Sequence, residues 1–259
     1  IHFSLLPAYK GMYTSIIPIL NGEKYSGVTL HKIDRGIDTG DIIAQRKIHI
    51  SSTLTSEELY YELLEKGYLL IASNIDTLID MTYSIEQQSC LGSSYFSKAA
   101  IDFQNISISA VQTAFQVEKF VRAFCFRPYQ RPKWKNSDID IAYILEQTSN
   151  NKPGTTIHED AFQFIISTID YDIKLIKAKD EELLEYARAG EIKILKEYRA
   201  LGGRICSKNQ LGWDIAIVAA YTGNYDILEW ALENGISNTT VNYNGTTIPM
   251  YLLSHGERV

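Results

Sequence analysis

The chain opens on residues whose types and spacing suit proton transfer. His2 heads the run His2-Phe3-Ser4-Leu5-Leu6-Pro7, Tyr9-Lys10-Gly11 follows, and Asp38 sits in Gly36-Ile37-Asp38-Thr39-Gly40-Asp41. An imidazole ordinarily titrates near neutrality, so it can take a proton and return it at physiological pH. A carboxylate beside it can hold the ring in one orientation. Pro7 and Gly11 mark a loop, and Gly36 and Gly40 permit backbone angles around Asp38 that other residues resist. The expected site is one carried on loops between strands, with His2 as base and Asp38 orienting it. By residue type alone, a frayed terminal histidine and a turn aspartate would be the plainer account. Lys10 is a cation placed to meet a phosphate, or simply a solvated lysine, and Tyr9 and Tyr13 are candidate pocket walls. His31 is read as a structural or rim residue and Asp41 as a turn acceptor.

The elements that must position these groups follow in order. Apolar residues at Met12, Ile16, Ile17 and Leu20 predict a helix over residues 11–20, ended by Asn21-Gly22. Residues 28–33 and 42–50 read as strands flanking the Asp38 turn. Thr55 and Glu58 form a capping box that opens a long helix. Its broad stripe includes Leu59, Leu63, Leu64, Leu70, Ile71, Ile75, Leu78 and Ile79 and is expected to pack on the sheet, with Gly67 costing about 1 kcal/mol against alanine. The first domain is placed at residues 1–83. Residues 84–177 predict one helix over about 110–126 and then short strands at 139–145, 161–167 and 171–176, a small β-rich domain. Residues 178–259 repeat: Gly190, Gly223 and Gly256 recur every thirty-three residues, and Gly202 with Gly235 and Gly212 with Gly245 keep that interval.

With 259 residues, 45% of them apolar and 22% charged, the chain reads as globular, and its net charge of −6 disfavours a nucleic-acid surface. No apolar run is long enough to span a membrane, and no signal peptide stands at this start. Cys90, Cys125 and Cys206 lie far apart with no CxxC pair, so no metal site is expected, and three reduced core or semi-buried thiols suit a cytosolic protein.

Three phrases in order, H-x-S-L-L-P, G-V-T-L-H (residues 27–31) and D-T-G-D (residues 38–41), resemble the folate-dependent formyltransferases, which act on methionyl-tRNA, glycinamide ribonucleotide or nucleotide-linked amino sugars. The resemblance implies a transfer of the formyl group of N10-formyltetrahydrofolate to an amine, with His2 as base and Asp38 orienting it, and no metal. It also implies an asparagine two positions before His2 and a preceding nucleotide-fold half. On that reading the sequence enters its catalytic domain part-way. The implied fold class is α/β: the C-terminal half of a Rossmann-like catalytic domain, a small β-barrel-like domain, and α-helical ankyrin repeats, which residues 178–259 resemble in period.

Among acceptors, the resemblance favours a dTDP-linked 3-amino-3,6-dideoxyhexose for bacterial lipopolysaccharide O-antigen. The phrase after S-L-L-P lacks the arginine-led form of the tRNA enzymes, and the chain carries net negative charge. A stretch like Arg122-Ala123-Phe124-Cys125-Phe126-Arg127-Pro128-Tyr129-Gln130 follows the catalytic domain in sugar enzymes. There Arg122 and Arg127 would clamp a pyrophosphate, unless Arg127 only caps its helix. Trp213 and Tyr221 are candidates for an accessory nucleotide-sugar site, with packing as the plain alternative. A homodimer is implied. Two rivals stand beside this expectation: a methionyl-tRNA-type formyltransferase, and a non-catalytic scaffold carrying ankyrin repeats.

Overall fold

The computed structural model describes residues 1–127 and 130–254, a mixed α/β chain. Tyr129 of the aromatic-arginine stretch and the His255-Gly256 copy of the repeat lie outside the described residues. The N-terminal unit contains β1 (Lys10–Gly11), α1 (Ile17–Asn21), β2 (Tyr25–His31), β3 (Ile42–His49), α2 (Ser56–Ile79) and β4 (Tyr95–Phe96). β2 and β3 form an antiparallel pair, and His2 bridges Thr29 on the free side of β2.

The helix expected over residues 11–20 is shorter. Gly11 is drawn into β1, which pairs in parallel with β4, and Tyr13 takes a φ of 63°, so helix begins only at Ile17. α2 starts where its capping box predicts: Thr55 and Glu58 exchange side-chain and backbone bonds. Burial alone would raise the Glu58 pKa, but the bonds from Thr55 outweigh it and hold the carboxyl below its usual range. Its buried stripe is narrower than expected. Leu59, Leu63, Gly67 and Leu70 face inward, whereas Leu64, Ile71, Ile75 and Ile79 are exposed. At one helical turn apart, the first four make a single seam, and the others lie off it. Gly67 has a packing reason: a Cβ there would come within 3.3 Å of both Ile1 and Phe3. The missing side chain lets the His2 segment lie close to α2.

α3 (Ala114–Phe124) is capped by Thr113 with Gln116, four residues inside the expected start. Then β5 (Lys133–Trp134), β6 (Ser137–Ile144), β7 (Thr156–Glu159), β8 (Gln163–Ser167) and β9 (Asp172–Lys177) form one antiparallel sheet in the order β5-β6-β9-β8-β7. Val117 and Val121 of α3 pack with Ile139, Phe164, Ile173 and Leu175 of the sheet.

The last part holds α4 (Asp180–Ala189), α5 (Ile192–Ala200), α6 (Ile215–Thr222), α7 (Tyr225–Glu233) and α8 (Ile248–Ser254). The thirty-three-residue interval is written in the backbone. Gly190 and Gly223 have φ of 80° and 74°, Gly202 and Gly235 97° and 96°, Gly212 and Gly245 77° and 80°. These are left-handed angles that glycine adopts without a Cβ clash. The helices share one core with Phe162 and Ile176, and the Tyr198 hydroxyl donates to the Lys177 carbonyl at 3.0 Å, so they dock on the sheet.

The thiols depart from expectation. Only Cys125 is buried, while Cys90 and Cys206 are exposed on loops outside every core cluster. Among the described residues, no helix is long and apolar enough to cross a membrane, and no group of three His, Cys, Asp or Glu is arranged to hold a metal.

Candidate active site

His2 is fixed by the sheet rather than frayed. Its N–H donates to Thr29 O and its carbonyl accepts from Thr29 N, both at 2.8 Å, and the residue is 8% exposed. Thr29 also organises the loop that follows. Its hydroxyl donates to Ser4 O at 2.6 Å and accepts from Leu6 N and from Gln45 Nε2. Gln45 Nε2 donates to Leu6 O as well. The turn is closed by Ser4 Oγ donating to Ala8 O, with the Leu6–Pro7 peptide cis. This loop swings Tyr9 back so that its carbonyl lies 2.8 Å from His2 Nε2.

Asp38 arrives from the β2–β3 connection. Its φ is 54°, and the turn is tied by Thr39 Oγ1 and Gly36 N donating to the Asp34 carboxylate. These bonds hold the Asp34 carboxyl below its usual range. Gly40 has no room for a side chain, since a Cβ would sit 1.9 Å from Lys32 O. Gln88 supports the turn from outside, its Nε2 donating to Asp38 O at 2.8 Å and Gly40 O at 2.7 Å.

The two residues meet. Asp38 Oδ2 lies 3.4 Å from His2 Nδ1 and accepts the Gly11 N–H at 2.8 Å. Asp38 Oδ1 lies 3.8 Å from Nε2 of His31, whose ring stands edge-on to His2 at 6.4 Å. His31 Nδ1 donates to Lys32 O at 2.8 Å, since a carbonyl only accepts. Burial lowers the His31 pKa. At His2 each nitrogen faces an acceptor, the Tyr9 carbonyl and the Asp38 carboxylate. A neutral ring has one N–H to offer and therefore one nitrogen free to gain a proton. The group can thus hold, accept and release a proton at a fixed place.

Of the other expected residues, Tyr9 contributes its carbonyl. Its phenol is engaged by Glu23 and Asn21, its ring stacks on Phe96 at 5.5 Å, and burial foremost pushes its pKa up to about 12. Lys10 lies beside it in β1, and its ammonium makes no ion pair among the described residues. Tyr13 donates to Lys98 O and packs on Phe103.

Arg122 and Arg127 are joined to His2 and Asp38 by no described bond. Arg122 bonds Glu118 and Leu54 O, and Arg127 bonds Glu57 and Ser207 and approaches Asp140 at 3.8 Å. Burial works against the charge on Arg127, but Asp140 and Glu57 outweigh it and raise its pKa. Trp213 and Tyr221 are brought together at 5.1 Å, with Tyr251 as a third ring. The sequence reading missed Gln88 and Ser94, whose hydroxyl accepts from Tyr9 N. Neither stands in a phrase that marks it. His31 had a signal, being the last residue of the strand entering the Asp38 turn.

Comparison with known proteins accords with this geometry. The family described as Formyl transferase matches residues 1–75. A methionyl-tRNA formyltransferase of Clostridium beijerinckii is 31% identical over 159 residues, which is 61% of this chain and 51% of that protein. That of Ureaplasma parvum is 33% identical, over 68% of this chain and 57% of its own length. The chain thus spans about half the length of the curated relatives it matches. Among solved structures, the sugar 3N-formyl transferase WlaRD, determined with dTDP and 5-N-formyl-THF, is 41% identical with a TM-score of 0.60. The match covers 68% of this chain and 63% of that one. An N-formyltransferase from Helicobacter canadensis, in complex with folinic acid and dTDP-3-aminofucose, is 40% identical with a TM-score of 0.61, over 68% and 65%. Residues 1–75, the segment that carries His2, His31 and Asp38, are thus the part that is similar to the formyltransferase family.

Proposed function

We propose that this chain takes part in moving a formyl group from N10-formyltetrahydrofolate to the amine of a dTDP-linked 3-amino-dideoxyhexose. The observation that carries the reading is the His2–Asp38 contact at 3.4 Å inside the segment matched to the family. The donor supplies a one-carbon acyl group on nitrogen. His2 takes the proton that the acceptor nitrogen sheds as its bond to carbon forms, then gives one to the departing nitrogen. Asp38 holds the ring in place for both transfers, and Gly11 N–H holds Asp38. The residues fit such a substrate pair, because the site offers a proton carrier and, at Gln88 Oε1, a buried acceptor with no hydrogen-bond partner among the described residues.

The sugar acceptor is favoured over tRNA by two observations. Identity to two sugar enzymes of known structure, 41% and 40%, is higher than the 31% and 33% to the two tRNA enzymes above, and the net charge is −6. Lys10, Tyr9 and Tyr13 are assigned to the acceptor side of His2, next to it in the chain. Arg122 and Arg127, already bonded to carboxylates, have a lesser part in holding the nucleotide. We read residues 178–254 as ankyrin-type units, the 133–177 sheet as the counterpart of a barrel-like domain, and the assembly as a homodimer in the cytoplasm. The test is formylation of dTDP-3-aminofucose and of methionyl-tRNA, each with N10-formyltetrahydrofolate, by the protein that carries this chain. The reading expects turnover of the sugar only. Turnover of the tRNA alone would replace the acceptor, and turnover of neither would leave the scaffold reading.

A further inference from the structure

A cavity of about 500 Å³ lies where α3 and β6 meet the loop after α5, and neither His2 nor Asp38 lines it. Its apolar wall includes Phe115, Val121, Ala142 and Ile144. Arg122, Arg199 and Arg204 also line it, together with Glu118 and the buried Asp140. The charges do not cancel in pairs. Arg122 is bonded to Glu118, and Asp140 to Arg131 with Arg127 at 3.8 Å. Arg199 and Arg204 make no ion pair and no side-chain hydrogen bond among the described residues, which include every wall of the cavity. Glu58 feels the charge of Arg204, but that carboxylate is already bonded to Thr55. Arg199 ends α5, where a cation suits the helix dipole. That explains its sign, but not why Arg204 lines the same cavity.

The shape is held from behind. Tyr143 donates to Gly202 O at 2.9 Å, a Cβ on Gly202 would fall 2.7 Å from its ring, and Lys174 both covers that ring and bonds Leu201 O. These contacts fix the loop that bears Arg204 against the sheet. The geometry points to a binding site for a small organic anion, a carboxylate or phosphate held by the Arg199 and Arg204 guanidiniums, with its apolar body against Phe115 and Ile144. Guanidinium forks match both oxyanions in two-point contacts, and an apolar wall adds affinity that a bare ion cannot collect.

The test is calorimetric titration of the 259-residue chain with phenyl phosphate, benzoate, inorganic phosphate and benzyl alcohol. Phenyl phosphate or benzoate is expected to bind more tightly than inorganic phosphate or benzyl alcohol, and which of the two binds better identifies the head group. Arg204→Ala and Arg199→Ala should each weaken that binding about tenfold or more. Arg199 is exposed at a helix end, so its variant tests the site even where Arg204→Ala fails to fold. His2→Asn should leave the binding unchanged, which separates this site from the proposed transfer site. No binding of either aromatic anion at millimolar concentration, equal binding of inorganic phosphate, or affinity unaltered in the folded arginine variants would overturn the assignment.

Discussion

Asp38 Oδ2 stands 3.4 Å from His2 Nδ1 although the two residues enter from different sides of β2. The distance is set by backbone on both sides. His2 is clamped to Thr29 by two bonds, and Asp38 is clamped by Gly11 N–H and by Gln88 at its carbonyl. Both groups are therefore placed before any ligand arrives, which is what a proton carrier needs if reorganisation is not to slow the transfer.

Gln88 is a positioning residue. Gln88→Ala removes both bonds that hold the carbonyls of Asp38 and Gly40. Loss of stability should be about 1–3 kcal/mol, and kcat should fall roughly ten- to hundredfold with KM little changed. Steady-state kinetics with urea unfolding checks this. A rise in KM alone would place Gln88 in substrate binding instead.

Gly40 is required by space. Gly40→Ala puts a Cβ 1.9 Å from Lys32 O, which is backbone and cannot rotate away. The Asp38 turn must shift, at a cost of about 1–3 kcal/mol. Urea midpoint and turnover should fall together. An unchanged midpoint would show that the turn is looser than its bonds imply.

His31 makes stability depend on pH. Burial foremost, with the His2 charge adding to it, lowers its pKa from the ordinary 6.5, against the Lys32 carbonyl and Asp38. Between the lowered folded value and 6.5 the unfolded chain binds more protons than the folded one. Stability therefore climbs with pH across that window and levels off above it. Urea titrations from pH 5 to 8 on the parent and on His31→Gln should differ in slope below 6.5 and run parallel above. A pH-independent difference would contradict the burial of this ring.

Much of this was legible from local pattern. The β2–β3 pair, the Thr55 capping box and the His2–Asp38 pairing stand in short phrases, and the repeated glycines share left-handed angles at the interval read from sequence. What was not legible depends on distant partners. β1 pairs with β4, so Lys10 meets Tyr95, and that contact ends the helix expected from residue 11. The carboxylates beside Arg127 were not legible because Glu57 and Asp140 lie on other elements of the chain. Arg122 could have been read better, since Glu118 stands four residues before it on one helix face. β7 was missed because three of its four residues are exposed, so it carries no alternating apolar signal.

The most direct measurement is a double-mutant cycle on turnover with His2→Asn, Asp38→Asn and the pair combined, using dTDP-3-aminofucose and N10-formyltetrahydrofolate. If His2 carries the proton and Asp38 acts through it, His2→Asn loses about 10²–10⁴ in kcat, and adding Asp38→Asn costs little more. Losses that multiply, or a His2→Asn protein that keeps its turnover, would contradict the account.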